Sequence, residues 1–387
     1  MIDEERNVRI LDAIKGMRLD AVVCGSPSGV LLLTGYWPVM GASVALLTVS
    51  GDLRVILPED EVKIAEQTSG ASLIPYQPSS LTKLTTPIEA LTFPLRALAS
   101  DLGLAKATVG IHVEQGMQPA SYAARIDFRS SLSSLLNDVI PGATLVACGD
   151  LLEQLAARKT RRELECIRTS ADIAASGFAD AASSIQVGKR EAEIAADVQA
   201  AFQATLKAAK VQRSYGFFFC MSGPNSACAS AAYARTRQRK IEAGDLVMIH
   251  ANTCADGYWT DVTRTYTAGP PTDRQQSMRS AIDKARKAAL NAISPGVAAR
   301  DVDSAARRVM TDHGFGDAFK HSTGHGVGFA AANPNALPRI HPQSPDVLEA
   351  GMTFNIEPAA YFDGYGGMRH CDVVSVTADG TNVLTDF

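Results

Sequence analysis

The stretch Leu246-Val-Met-Ile-His250-Ala-Asn-Thr-Cys-Ala-Asp256-Gly257-Tyr-Trp-Thr-Asp261-Val-Thr-Arg264-Thr-Tyr-Thr267 decides how this chain folds and where its chemistry sits. Two strand-like runs, 246–253 and 258–267, flank the dipeptide Asp256-Gly257. Asp-Gly favours the two-residue type I′ hairpin, in which both central residues take φ above zero. With 256 and 257 at the centre, His250 falls opposite Thr263 and Asn252 opposite Asp261. His250 and Asp261 then become diagonal neighbours on one face, their Cβ atoms about 7 Å apart. At that spacing both side chains reach a single ion; a half-buried hairpin with incidental polar residues is the competing reading.

Three downstream segments carry the other candidate groups. Thr323-Gly-His325-Gly-Val-Gly328 sets an imidazole between glycines, which permit close backbone approach and positive φ. In Phe354-Asn-Ile-Glu357-Pro358 an apolar run ends in a carboxylate before proline. Burying that carboxylate without a metal or a hydrogen-bond donor would cost too much, so Glu357 needs a partner. Met368 to Val376 is expected as a last strand, with Arg369, Cys371 and Val373 on one face and His370, Asp372 and Val374 on the other.

Together with Gly244-Asp-Leu-Val-Met-Ile-His250 and Gly367-Met-Arg369-His-Cys371-Asp372, these segments resemble the creatinase, prolidase and methionine aminopeptidase family, peptidase M24, from about residue 160 onward. The resemblance implies an α/β (α+β) chain in which a C-terminal pita-bread domain follows an N-terminal creatinase-like α/β domain. In that family Asp, Asp, His, Glu and Glu hold two divalent ions, and a bridging hydroxide attacks the scissile carbonyl. Here those positions fall on His250, Asp261, His325, Glu357 and Cys371. Two carboxylates are lost, and with them half of the formal negative charge that offsets two divalent cations. The remaining donors suit one zinc or iron(II) ion better than paired manganese.

The resemblance further implies catalytic roles for Glu357, as proton shuttle, and for His325, Asp261 and Arg369. A family segment like Ser222 to Ser226 is followed by a substrate-contacting histidine, yet Cys228 to Tyr233 contains none. The His-Glu-x-Pro that usually follows the GHG segment is replaced by Ala331-Ala332-Asn333-Pro334. Tyr233 and His341 become the candidate substrate contacts, with a surface-loop histidine as the competing reading of His341. The implied function is hydrolysis of a peptide-like or amide C–N bond in a small molecule or short peptide, akin to Xaa-Pro dipeptidases and aminopeptidase P, with weak activity on ordinary Xaa-Pro dipeptides. A metal-free mechanism similar to creatinase and the ectoine hydrolases is the alternative, and a non-catalytic binding relative the second. Relatives of this kind imply a homodimer.

Composition bounds the rest. A chain of 387 residues reads as two domains, 1–155 and 156–387. Hydrophobic content of 46%, charged content of 20% and a net charge of −4 describe a weakly acidic globular protein without a basic footprint for nucleic acid. The acidic opening and the absence of a bilayer-length apolar run lead to the expectation of a cytoplasmic protein with no membrane partner. Seven scattered cysteines without a Cys-x-x-Cys pair fit a reducing compartment, and most read as small buried hydrophobes, with Cys371 the exception by its position.

Short apolar runs at Ala21–Cys24, Ser43–Val49, Leu53–Leu57 and Thr108–Ile111 predict an α/β N-terminal half, with Leu81 to Pro94 irregular. Helices are expected over about Glu163 to Ser184 and Glu191 to Ala209. Ile185-Gln-Val-Gly188 leading into Glu193 is echoed by Ile293-Ser-Pro-Gly296 leading into Asp301, a sign of internal duplication.

Overall fold

In the computed structural model, residues 3–39, 42–78, 86–112, 132–205, 211–230, 235–330, 333 and 335–387 are described. The chain divides into two compact units, Met1–Ala156 and Ala157–Phe387. The first contains β1 (Ala21–Cys24), β2 (Val44–Thr48), β3 (Leu53–Pro58), β4 (Ser72–Tyr76), β5 (Thr108–Ile111) and β6 (Thr144–Ala147), in one sheet ordered β4-β3-β2-β1-β5-β6. Helices α1 (Glu4–Gly16), α2 (Pro27–Thr34), α3 (Val62–Thr68), α4 (Pro87–Asp101), α5 (Leu132–Val139) and α6 (Gly149–Ala157) intervene between these strands except at β2–β3, which follow directly as an antiparallel pair. β1 and β2 are buried throughout, which is why they read as continuous apolar runs rather than alternating ones. β4 and β6 sit at the sheet edges, half exposed, and β4 carries Pro75; neither gives a strong strand signal.

The irregular stretch expected at Leu81 to Pro94 is corrected over its second part, while residues 81–85 lie outside the described residues. Thr86 caps α4 reciprocally with Glu89, and Pro87 occupies the first turn, where a missing N–H costs nothing. Pro94 is carried inside the helix. Tyr36 and Tyr76 point into this unit: Tyr36 OH donates to the buried Glu61 carboxylate, and Tyr76 OH donates to Ala42 O at 2.7 Å.

The second unit holds two halves of like design. Its first half comprises α7 (Arg161–Ala179), α8 (Ala181–Ser184), α9 (Glu191–Thr205), β7 (Ser214–Ser222), α10 (Pro224–Ala227), β8 (Leu246–Ala255) and β9 (Tyr258–Thr267). Thr160 and Glu163 form a capping box at the start of α7. Ile173, Phe178, Ile194, Val198 and Phe202 pack α7 and α9 onto Phe218, Val247, Ile249 and Val262 of the antiparallel β7-β8-β9 sheet. The second half comprises α11 (Asp273–Ala292), α12 (Ala299–Asp312), β10 (Thr353–Ile356), β11 (Ala359–Phe362), β12 (Gly366–Arg369), β13 (Asp372–Val376) and β14 (Thr381–Val383). Met278, Ile282, Val302, Ala306 and Met310 pack its helices against Phe354, Ile356 and Val374.

The echo seen in the sequence is also an echo of geometry. Gly188 and Gly296 take φ of 89° and 87°, and their N–H groups donate to Ile241 O and Leu348 O, each at 2.8 Å. Isolated bridges Arg190 to Lys240 and Ala298 to Val347 complete the two equivalent turns.

The β8–β9 hairpin has the register that Asp256-Gly257 predicts: His250 pairs with Thr263, and Asn252 with Asp261. Asp256 and Gly257 take φ of 48° and 93°, as a type I′ turn requires. The single last strand expected over Met368 to Val376 is corrected to two. β12 pairs with β11 while β13 pairs with β10 and β14. Between them Cys371 N–H donates to Thr263 O at 3.0 Å and Thr263 N–H returns to Cys371 O at 3.3 Å, so β9 pulls the chain out of one sheet and into the next. Among the described residues no helix is long and apolar enough to cross a membrane.

Candidate active site

β8 and β9 place His250 and Asp261 in the centre of the second unit, 2% and 3% exposed. His325 arrives on the Gly324–Gly326 loop, Glu357 at the end of β10, and Arg369 and Cys371 at the β12–β13 break. The loop needs its glycines: a Cβ on Gly324 would lie 1.8 Å from Asn355 O, and one on Gly326 would lie 2.1 Å from Leu337 O. His250 Nδ1 stands 3.7 Å from Asp261 Oδ1 and His325 Nε2 stands 3.8 Å from Asp261 Oδ2. Arg369 Nη1 is 3.8 Å from Glu357 Oε2, and Cys371 Sγ–H donates to Asp261 O at 3.2 Å. The hairpin, loop and strand-break segments therefore meet in one buried place.

Hydrogen-bond polarity fixes the imidazoles. Arg369 can only donate, so its Nη2–H, 3.0 Å from His250 Nδ1, requires a lone pair there. Thr263 Oγ1 accepts from Arg369 Nε at 3.1 Å and turns its own proton to the same Nδ1 at 2.9 Å. His250 consequently carries its proton on Nε2, which donates to Asn252 Oδ1 at 3.3 Å. His325 has the opposite arrangement: Nδ1–H donates to Gly326 O at 3.1 Å, leaving the Nε2 lone pair toward Asp261 and toward Asn355 Nδ2 at 3.3 Å. Asn355 Oδ1 is already engaged by His325 N–H at 2.7 Å, which settles which end of that amide is which.

Charge follows from burial. Burial, reinforced by the Arg369 cation and opposed by Asp261, holds the His250 pKa at about 4, so the ring is neutral. Burial also pushes the Glu357 carboxyl up, to about 7, helped by the Asp261 charge and resisted by Arg369 and His325. Burial and the facing Asp261 and Glu357 charges drive the Cys371 thiol well above its ordinary value, so it is protonated. Burial disfavours the Arg369 cation, but Tyr361, Glu357 and Cys371 more than restore it.

Two groups in the site escaped sequence reasoning. Tyr361 OH donates to His321 Nε2 at 3.0 Å and accepts from Arg369 Nη1 at 3.4 Å, while His321 Nδ1–H is fixed on Ser322 O at 2.7 Å. Their one available signal was position: His321 precedes His325 by one helical turn's length of sequence, and Tyr361 follows Glu357 by the same interval. Asp303 anchors this loop, accepting from Thr323 N and Oγ1 at 3.0 and 2.8 Å while bound by Arg307. Of the two expected substrate contacts, Tyr233 lies outside the described residues. His341 is exposed, and its Nδ1 accepts from Gln343 N–H at 3.0 Å within its own turn; among the described residues no hydrogen bond joins it to the buried cluster. Arg264 and Asp372 brace the strand break from outside: Arg264 Nη2 meets Asp372 Oδ1 at 2.8 Å, and Arg264 Nη1 donates to Cys371 O at 2.7 Å. His370, Arg264 and Arg286 hold the Asp372 carboxyl far below the carboxylate range despite its burial.

The donors present do not fit a pair of divalent ions. The one lone pair of His250 Nδ1 is shared by two donors, Arg369 Nη2–H and the Thr263 hydroxyl, and Nε2 is protonated. The Cys371 thiol keeps its proton and donates it in a hydrogen bond to the Asp261 carbonyl oxygen. Among the described residues no three His, Cys, Asp or Glu side chains converge as a metal cage. Asp261, Glu357 and His325 Nε2 keep donor atoms, and the cation that faces them is the Arg369 guanidinium.

A duplicated pita-bread unit with carboxylates and imidazoles buried at its centre defines the creatinase, prolidase and aminopeptidase class of hydrolase. The model of metallopeptidase family M24 matches residues 165–378. The Xaa-Pro dipeptidase of Pyrococcus furiosus is 34% identical over 236 residues, 61% of this chain and 65% of the relative, just under two thirds of its length. That of Pyrococcus horikoshii is 26% identical over 384 residues, 99% of this chain and 97% of the relative. The solved prolidase from Pyrococcus furiosus superposes with a TM-score of 0.75 at 27% identity, covering 97% of this chain and 99% of that one. The chain belongs to metallopeptidase family M24.

Proposed function

We propose that this protein is an Xaa-Pro-peptidase-like hydrolase that cleaves a peptide-like or amide C–N bond in a small molecule or short peptide. The observation that carries this reading is the meeting of Asp261, His325, Glu357 and Arg369 in one buried place. A carboxyl held near neutrality, as Glu357 is, can keep a proton at rest and pass it to a leaving nitrogen. The His325 Nε2 lone pair, which faces Asp261 and receives Asn355 Nδ2–H, is the atom of this loop that can accept a proton from an attacking water. The Arg369 cation offsets the Glu357 and Asp261 carboxylates.

The family's chemistry uses divalent metal. A single-ion version, zinc or iron(II) rather than manganese, could draw only on Asp261, His325 Nε2 and Glu357, which do not converge as a cage in this structure, with His250 and Cys371 left out of the set. The same reading takes the protein to be a cytoplasmic homodimer that engages neither nucleic acid nor membrane. Tyr233 and His341 stand as the residues to probe for substrate contact.

Purified protein should be tested against Ala-Pro, Gly-Pro and a panel of N-acyl amides, beside elemental analysis of the same sample. Slow turnover of Ala-Pro, faster turnover of another small amide and a fall of roughly 1000-fold in Glu357→Gln are expected. Undiminished turnover by Glu357→Gln overturns the assignment, and tight ligand retention without turnover by the native protein favours a binding relative. Zinc or iron under roughly a tenth of an equivalent, with no gain in activity on adding either, removes the single-ion version and leaves side-chain chemistry.

A further inference from the structure

Asn252 is fully buried in β8, two residues from His250 and directly opposite Asp261 of β9. Its two ends are distinguishable because the network reaching it has only one polarity. Arg369 has donors and no acceptor, so its guanidinium points hydrogen at His250 Nδ1 at 3.0 Å. Thr263, receiving Arg369 Nε–H, directs its hydroxyl proton to the same nitrogen. The His250 proton is thereby forced onto Nε2, and Asn252 Oδ1 accepts it at 3.3 Å. What remains is the Asn252 amide nitrogen, a donor with no hydrogen-bond partner among the described residues.

An unsatisfied buried donor costs about 1–3 kcal/mol. A chain that runs from a guanidinium through an imidazole to a carboxamide also polarises each link, which strengthens the terminal amide donor. The end of this chain lies in the strand pair that carries Asp261, within the site that holds the proton-transfer groups. Hydrolysis of an amide builds negative charge on the carbonyl oxygen, and a fixed neutral donor aimed at that oxygen is the usual source of its stabilisation. Three of the five Arg369 N–H groups are directed at His250, Thr263 and Tyr361.

We propose that the Asn252 carboxamide NH2 is the oxygen-binding donor of this site, taking a carbonyl or carboxylate oxygen of the substrate. The assignment rests on the hydrolase reading for its substrate class but not for its geometry. Arg369, Thr263 and His250 act on it as positioning residues, fixing the carboxamide so that it donates outward. The ligand class follows: an oxygen with lone pairs, not an ammonium or an N–H.

The test uses the full-length protein labelled with [15N]asparagine. The Asn252 side-chain NH2 pair is assigned by its loss in Asn252→Asp, which keeps an acceptor for His250 Nε2–H and removes the donor. Addition of Ala-Pro should move that pair. If L-proline moves it equally, the bound oxygen is a carboxylate; if only Ala-Pro does, it is the carbonyl. On the best substrate, Asn252→Asp should lose about 100-fold in kcat with little change in KM for a carbonyl contact, and mainly raise KM for a carboxylate contact. Turnover of Ala-Pro by the native protein with an unmoved Asn252 pair overturns the proposal and leaves the hydrolase reading standing. A shifted pair without turnover of any amide supports the proposal and breaks the hydrolase reading. A pair unmoved by both probes, in a protein that turns over neither, overturns the proposal.

Discussion

His250 and His325 approach the two oxygens of one carboxylate, Asp261 Oδ1 and Oδ2, at nearly the same distance, 3.7 and 3.8 Å, yet they are held in opposite tautomers. His250 lies in mid-strand, paired on one side with Phe219 of β7 and on the other with Thr263 of β9, and its ring meets donors from Arg369 and Thr263. His325 lies in a loop and is held by backbone groups, Gly326 O and its own N–H on Asn355. The strand side therefore closes both nitrogens of its imidazole in hydrogen bonds to Arg369, Thr263 and Asn252, and the loop side turns an imidazole lone pair toward Asp261 and Asn355 Nδ2.

Arg369 is the piece whose removal breaks this contrast most severely. Arg369→Met leaves Glu357 and Asp261 buried without their cation and uncaps His250 Nδ1. Losing one partner of a buried charge set costs about 3–5 kcal/mol, measurable by urea unfolding. Arg369→Lys should recover less than half, because a single ammonium cannot reach Thr263, Tyr361 and His250 as the guanidinium fork does. A loss below about 1 kcal/mol in the Met variant would mean that the carboxylates are compensated by something other than Arg369.

A pH series sharpens the same contrast. The folded His250 pKa is about 4 and its ordinary value is 6.5, so between these the unfolded chain binds the proton and the folded chain does not. Stability contributed by the neutral ring is fully present above pH 6.5 and is lost as pH falls toward 4, by about 3 kcal/mol at most. His321, also held at about 4 by burial and the Arg369 charge, adds a loss over the same pH window, so that His250 accounts for only part of the slope. His250→Gln should flatten the dependence between pH 6.5 and 4; an unchanged slope would place the responsible group elsewhere.

Restoring the carboxylates tests the contrast from the other direction. His250→Asp with Cys371→Glu returns two anions to the strand side, next to Asp261 and Glu357. Zinc or manganese affinity by calorimetry should rise about 100-fold over the native chain. Native affinity already equal to that of the double variant would show that His250 leaves its network to bind metal.

What could be read in advance divides along the same line. The hairpin register was legible because Asp-Gly selects one turn type and a turn fixes every cross-strand pair beyond it, including Asn252 with Asp261. The need of Glu357 for a partner was legible from its apolar setting, but the identity of that partner was not. Arg369 comes from a different strand and joins His250 across 119 positions, a separation that carries no periodic signal. The break at His370–Cys371 was likewise hidden, because alternation looks the same in one long strand and in two short ones. The helix over Pro87–Asp101 was obscured by its prolines, although Thr86 and Glu89 spelled out its cap.

The smallest expected effect concerns the turn that sets the register. Asp256 takes φ of 48°, and its carboxylate accepts from Gln212 N at 3.1 Å and Arg213 N at 2.9 Å. Asp256→Ala forces a Cβ-bearing residue without a local acceptor into the left-handed region, at about 1–2 kcal/mol. Asp256→Asn keeps the conformational tolerance and one acceptor and should stay within about 0.5 kcal/mol of the native chain. Turnover should change by less than twofold in either, since ten paired positions along β8 and β9 hold His250 and Asp261 in register once the hairpin has formed. A loss of turnover in Asp256→Ala larger than its loss of stability explains would show instead that the turn, and not the strand pairing, positions Asp261 against the two imidazoles.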